Sequence, residues 1–133
     1  MPHDQAALGH SDADVLLHAV TDSLLGAAAL GDIGQWFPDT DPDNRGRDSA
    51  EMLRLVRDAV SAAGWRIGNL DCIVFAERPK LGPYKQAIRE RLAAILQVES
   101  QQIGLKAKTQ EGLDAVGRTE AIAAECVVLL EAI

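Results

Sequence analysis

Ala121-Ile122-Ala123-Ala124-Glu125-Cys126-Val127-Val128-Leu129-Leu130-Glu131-Ala132-Ile133 admits two readings, and the choice between them sets the fold. Its alanines and glutamates favour a helix, whereas Cys-Val-Val-Leu-Leu suits a strand at the centre of a sheet. The rest of the chain decides for the strand. Leu70 to Ala76 is a short run of Ile, Val and Phe that reads as a buried strand, with Trp65 to Asn69 leading into it. Ile103 to Thr109 reads as another, with Ile103, Leu105 and Ala107 on one face and Lys106 and Lys108 on the other. Tyr84 to Leu96, between them, has a helical pattern. Helices and strands therefore alternate, and a third strand completes a sheet for the helices to cover. The expectation is one α/β domain, an α+β layer spanning residues 1–133.

Upstream of the sheet, Ser11 to Leu30 predicts a helix that Ser11 or Asp12 caps and Gly31 ends. Its interior is Leu and Ala, crossed by one polar stripe: Asp14, His18 and Asp22 at i, i+4 and i+8. Such a stripe must face something polar. Gly, Pro and Asp crowd residues 31 to 47, which reads as an ordered loop, with Phe37-Pro38 pinning it to the core while its carboxylates project. Asp48-Ser49-Ala50-Glu51 has the form of a capping box and opens an amphipathic helix that runs to Ala63 before Gly64.

Composition bounds the function. A chain of 133 residues forms a single core, and a net charge of −7 excludes a general nucleic-acid surface, which needs a basic face. No apolar run spans a bilayer, and Met1 to Leu8 lacks the pattern of a signal peptide, so a cytoplasmic protein is expected, without nucleic-acid or membrane partners. Cys72 and Cys126 both stand in apolar surroundings, as reduced, buried thiols do.

The chemistry concentrates in the first third. His18, an imidazole with carboxylates one turn away on either side, is the best single metal candidate. His10 and Ser11 precede the predicted helix, where free backbone N–H groups and the positive end of the dipole favour phosphate. Asp32 and the Asp39 to Asp41 group suit sugar or polyol hydroxyls, or a hard cation. Lys80, Lys108 and Arg118 supply charge for phosphates, and Thr109 beside Glu111 offers a hydroxyl with a carboxylate for Mg²⁺.

Taken in order, His10-Ser11-Asp12-Ala13-Asp14, His18, Gly31-Asp32-Ile33-Gly34, Phe37-Pro38-Asp39-Thr40-Asp41-Pro42, Pro79-Lys80, Lys106-Ala107-Lys108-Thr109, Glu111 and Gly117-Arg118 resemble the 2-C-methyl-D-erythritol 2,4-cyclodiphosphate synthases. The resemblance runs from Pro2 to Ile133. It implies a phosphorus-oxygen lyase of the non-mevalonate isoprenoid pathway, a homotrimer with active sites between subunits, and a ferredoxin-like α/β subunit whose sheet packs against helices. In that family 4-diphosphocytidyl-2-C-methyl-D-erythritol 2-phosphate, a small nucleotide substrate, cyclises with release of CMP.

By matching position, the resemblance makes His18 a ligand of Zn²⁺ or another divalent metal and Glu111 a contact of Mg²⁺ or Mn²⁺. His10 and Thr109 would stabilise the transition state. Ser11, Asp32, Ile33, Gly34, Phe37, Pro38, Asp39, Thr40 and Asp41 would hold the methylerythritol phosphate. Ala76, Glu77, Arg78, Pro79, Lys80, Leu81 and Gly82, with Lys108, Thr109 and Gln110, would hold the cytidine and its diphosphate, and Arg118 would support the phosphate side.

Three departures from the family carry expectations. The family's first strand bears an Asp-x-His motif supplying two zinc ligands, and this chain starts just before the His-Ser-Asp motif, so one zinc ligand of three is expected here and activity depends on the others. Lys108 stands where the family often has Thr, and Ala115 where it often has Phe. The alternative class of function is a noncatalytic trimeric module that binds a nucleotide or an isoprenoid diphosphate.

Overall fold

The C-terminal segment is a strand. In the computed structural model, which describes residues 2–38, 48–75, 82–108 and 123–133 and the side chains of all of these except 2–12 and 82, β3 runs Ala123–Ala132. It pairs antiparallel with β1 (Trp65–Phe75), from Trp65 opposite Ala132 to Phe75 opposite Ala123. On its other side β1 pairs parallel with β2 (Ile103–Lys108), giving the order β2-β1-β3. Four α-helices complete the described chain: α1 (Pro2–Ala27), the short α2 (Ile33–Trp36), α3 (Ser49–Ala62) and α4 (Lys85–Leu96), with 3-10 turns at Gly82–Tyr84 and Ser100–Gln102.

The helices cover one side of the sheet, α1 lying against β3, α3 against β1 and α4 against β2. Strand alternation points Leu70, Cys72 and Val74 of β1 and Ile103 and Leu105 of β2 into that layer. There they meet Leu16, Leu17, Val20, Leu24 and Leu25 of α1, Leu53, Val56 and Val60 of α3, and Leu92, Ala93, Ile95 and Leu96 of α4. The opposite side of the sheet carries Val127 and Leu129, both exposed, and a Lys106 to Asp71 ion pair of 2.9 Å.

Several sequence expectations require correction. α1 starts at Pro2, so neither Ser11 nor Asp12 caps it. Proline suits a first helical turn, and Gln5-Ala6-Ala7-Leu8 holds no breaker, so a residue type that favours a cap sits in the helix interior instead. The helix ends at Ala27 rather than Leu30, because Ala29 adopts a left-handed conformation (φ 57°) that lets Leu30 N–H donate to Leu25 O at 2.8 Å. The segment read as loop contains α2, whose capping box pairs the Asp32 carboxylate with Gln35 N–H and the Gln35 side chain with Asp32 N–H. β1 extends back to Trp65, since β3 is long enough to pair with it across an irregularity at Ile67 to Asn69. Ala107, expected on the buried face of β2, is exposed near the strand's end.

The two cysteines face each other across β1 and β3, Sγ to Sγ 3.5 Å, as free thiols. Cys72 is buried as expected, whereas Cys126 is only half-buried because its strand lies at the side of the sheet. The hydrogen bond to Cys126, with burial added, pushes the Cys72 thiol well above its ordinary range, and Cys126 is the first of the pair to ionise.

Candidate functional site

α1 directs its apolar residues at the sheet, which leaves the stripe of Asp14, His18 and Asp22 outside, and the structure gives each member a partner. Asp14 and His18 converge on one side chain of α3, Ser49. The Ser49 hydroxyl donates to Asp14 Oδ1 in a short hydrogen bond and stands 2.9 Å from His18 Nε2. Ser49 is the first residue of α3 and is buried, whereas Asp14 and His18 are exposed. The cap of α3 is Asp48, whose carboxylate accepts from Ala50 N–H at 3.0 Å, so the Ser49 hydroxyl is not used in capping.

One turn further along α1, Asp22 Oδ1 accepts from Ile33 N–H at 3.0 Å. That bond docks the Gly31-Asp32-Ile33-Gly34 segment onto α1 beside His18. Asp32 spends Oδ1 on Gln35 N–H at 2.8 Å, and Ile33 and Gly34 form the first turn of α2. Trp36 Nε1 donates to Leu30 O at 2.9 Å, and of the Phe37-Pro38 pair expected to pin the segment, the half-buried Phe37 packs against the core, while Pro38 is half-buried.

The remaining site residues are not gathered here. His10 and Ser11, expected before the helix at its free N-terminus, lie inside α1, and their amides belong to the helix. Lys108 is the exposed last residue of β2, opposite Phe75. Gly82 opens a 3-10 turn. Asp39, Thr40, Asp41, Ala76, Glu77, Arg78, Pro79, Lys80, Leu81, Thr109, Gln110, Glu111, Ala115 and Arg118 lie outside the described residues.

Whether these residues suit a metal is decided by donor chemistry. Among the described residues no three His, Cys, Asp or Glu side chains converge. His18 alone fits one ligand position: its ring is exposed and its Nε2 is engaged by Ser49, as the second nitrogen of a metal-binding histidine usually is by a neighbouring group. Its carboxylate neighbours have other partners on Oδ1, Asp14 accepting from Ser49 and Asp22 from Ile33.

Sequence reasoning missed Ser49, which it read only as part of a capping box. The signal was present: with Asp48 available as the cap, a serine one residue later has a hydroxyl to spare. A cavity of about 330 Å³ between α3, β1 and α4, lined by Arg57, Ser61, Trp65 and Gln102 among others, lies away from the His18 cluster.

With fold and cluster in place, the comparisons identify the family. The chain belongs to the YgbB family, whose profile matches residues 1–131. It is 55% identical over 130 residues to the 2-C-methyl-D-erythritol 2,4-cyclodiphosphate synthase of Nostoc sp. (strain PCC 7120), covering 98% of this chain and 79% of that relative. The protein of the same name from Bordetella pertussis is 56% identical over 128 residues, 96% of this chain and 79% of its own length. Among solved structures, the bifunctional IspDF from Campylobacter jejuni superposes with a TM-score of 0.86 at 40% identity, over 90% of this chain and 32% of that larger one. A cyclodiphosphate synthase in its CDP-bound form gives 0.80 at 42% identity, over 86% of this chain and 74% of that one.

Proposed function

We propose that this chain catalyses the cyclisation of 4-diphosphocytidyl-2-C-methyl-D-erythritol 2-phosphate to 2-C-methyl-D-erythritol 2,4-cyclodiphosphate, releasing CMP. The observation that carries this reading is identity above half over 98% of the chain to a relative of that name, with His18 and the Gly31 to Gly34 segment held on one helix. In the reaction an oxygen of the 2-phosphate bonds to the β-phosphorus, the bond from that phosphorus to CMP breaks, and CMP leaves with the electron pair. Nucleophile and leaving group belong to one molecule, so the protein has to bend the substrate and neutralise charge.

His18 would hold Zn²⁺ or another divalent ion, and Glu111 would hold Mg²⁺ or Mn²⁺. Such ions, when bound, offset charge on the phosphoryl oxygens. Asp32, Ile33 and Gly34, with Ser11 and the Phe37 to Asp41 segment, would bind the methylerythritol phosphate. The Ala76 to Gly82 segment, Lys108, Gln110 and Arg118 would bind the cytidine diphosphate, and His10 and Thr109 would contact the reacting phosphates. Two further zinc ligands would come from an Asp-x-His strand, which residues 1–133 do not contain. The noncatalytic alternative gains nothing from the relatives, which carry the name of the enzyme.

The test is CMP release, read by chromatography, with substrate, Zn²⁺ and Mg²⁺. We expect turnover that chelation abolishes, either from this chain or from it preceded by an Asp-x-His strand. No CMP from either protein would overturn the reading.

The same reading makes the chain a ferredoxin-like subunit of a homotrimer with active sites between subunits, in a cytoplasmic setting; no helix among the described residues is long and apolar enough to cross a membrane. What supports the trimer is the side of the sheet that no helix among the described residues covers, where Val127 is 73% and Leu129 59% exposed. Sedimentation is expected to give three times the chain mass of 14.2 kDa, and replacing Val127 and Leu129 together by Asp is expected to give monomers. A monomeric parent protein would refute the assembly.

A further inference from the structure

We propose that Ser49 is a positioning residue that fixes His18 in a single tautomer, with the proton on Nε2 and the lone pair on Nδ1. One hydrogen has to serve two contacts. Ser49 Oγ touches two groups, Asp14 Oδ1 and His18 Nε2, and owns one hydrogen. A carboxylate can only accept, so the hydroxyl hydrogen goes to Asp14. The oxygen then faces His18 with lone pairs alone, and a hydrogen bond at 2.9 Å requires Nε2 to be the donor. In a neutral imidazole the other nitrogen, Nδ1, must be the acceptor.

Three features distinguish this relay from an incidental contact. Ser49 is 5% exposed, so its hydroxyl is largely shielded from solvent. Its capping duty is already met by Asp48, so among the described residues the hydroxyl's partners are the two α1 side chains. Asp14 and His18 are one turn apart on a helix whose opposite face is locked into the core by Leu16, Leu17 and Val20, which fixes both partners relative to α3. The result is a carboxylate, hydroxyl and imidazole in series, a longer version of the carboxylate to histidine pairing that orients metal ligands. What Nδ1 then serves rests on the proposed function; the tautomer does not.

The test is the ¹⁵N spectrum of the imidazole rings in metal-free, substrate-free protein at about pH 8, above the ordinary imidazole range. The His18 signals are assigned by their loss in His18→Gln. Wild-type protein is expected to show Nε2 at the shift of a protonated nitrogen, with a slowly exchanging proton, and Nδ1 at the shift of an unprotonated one. In Ser49→Ala the two shifts move toward the averaged values of a free imidazole and the slow proton is lost. Ser49→Thr, which keeps the hydroxyl, restores both. Asp14→Ala, on the exposed face of α1, releases the hydroxyl's direction and gives the same averaging should Ser49→Ala fail to fold. A wild-type proton on Nδ1, or wild-type shifts in Ser49→Ala or Asp14→Ala, overturns the proposal. None of these spectra depends on turnover, so a protein that releases no CMP still reports the tautomer, and a failed tautomer leaves the reaction standing.

Discussion

Replacing His18 by glutamine is expected to lower the rate of CMP release by at least about a hundredfold while leaving the protein folded. The size of the loss follows from the metal-holding role proposed for His18. A cation at a phosphoryl centre contributes several kcal/mol to the barrier, and each 1.36 kcal/mol is about one decade in rate. With three protein ligands at a catalytic zinc, removing one takes away a third of the set, and an uncharged amide is a poor substitute for imidazole. The stability cost runs the other way. His18 is exposed, and its hydrogen bond to Ser49 contributes about 1 kcal/mol, so urea midpoints should move little. Activity within a few fold of the parent enzyme would overturn the metal-holding role proposed for His18. Lost activity accompanied by an equal loss of stability would make it a structural residue.

That separation of activity from stability mirrors what the sequence made legible. Element types were readable, because period-2 and helical spacing mark strands and helices wherever one face is buried, and the C-terminal segment could be assigned by asking what the sheet still needed. Element ends were not. Ser11 and Asp12 favour caps, yet they lie inside α1, since a cap residue permits a helix start without enforcing one. Ala29 takes the left-handed turn that glycine usually supplies, and the expected stop at Gly31 came too late. At the site, spacing placed Asp14, His18 and Asp22 on one stripe but could not say that the stripe divides, with Asp14 and His18 facing Ser49 and Asp22 facing Ile33. Pairings of that kind join residues 11 to 35 positions apart and depend on how helices dock. The Cys72 to Cys126 contact was hidden for the same reason, because cross-strand neighbours follow from register, which neither segment displays alone.

Leu53→Ala is expected to cost about 2–5 kcal/mol of folding free energy, against about 0.5 kcal/mol or less for Leu55→Ala two residues away. Both leucines sit on α3, and an alanine at either position loses the same atoms. Their surroundings differ: Leu53 is fully buried with Val56 and Val60 in the layer between helices and sheet, whereas Leu55 is 42% exposed. At Leu53 the loss includes the transfer of the side chain from water and the void left among neighbours that relax only in part. A domain of this size is stable by about 5–15 kcal/mol, so the change consumes a large fraction of the total. Urea titration of the two variants measures the difference directly, and equal costs would mean that α3 does not present this face to the sheet. The consequence reaches the site, because Ser49 stands one turn before Leu53 on the same helix, and the packing of α3 sets its approach to Asp14 and His18 of α1. A protein in which α3 is loosened should therefore lose the single His18 tautomer before it loses its sheet, and the imidazole ¹⁵N shifts of Leu53→Ala, followed through the urea transition, should average at lower denaturant than the strand amides unfold.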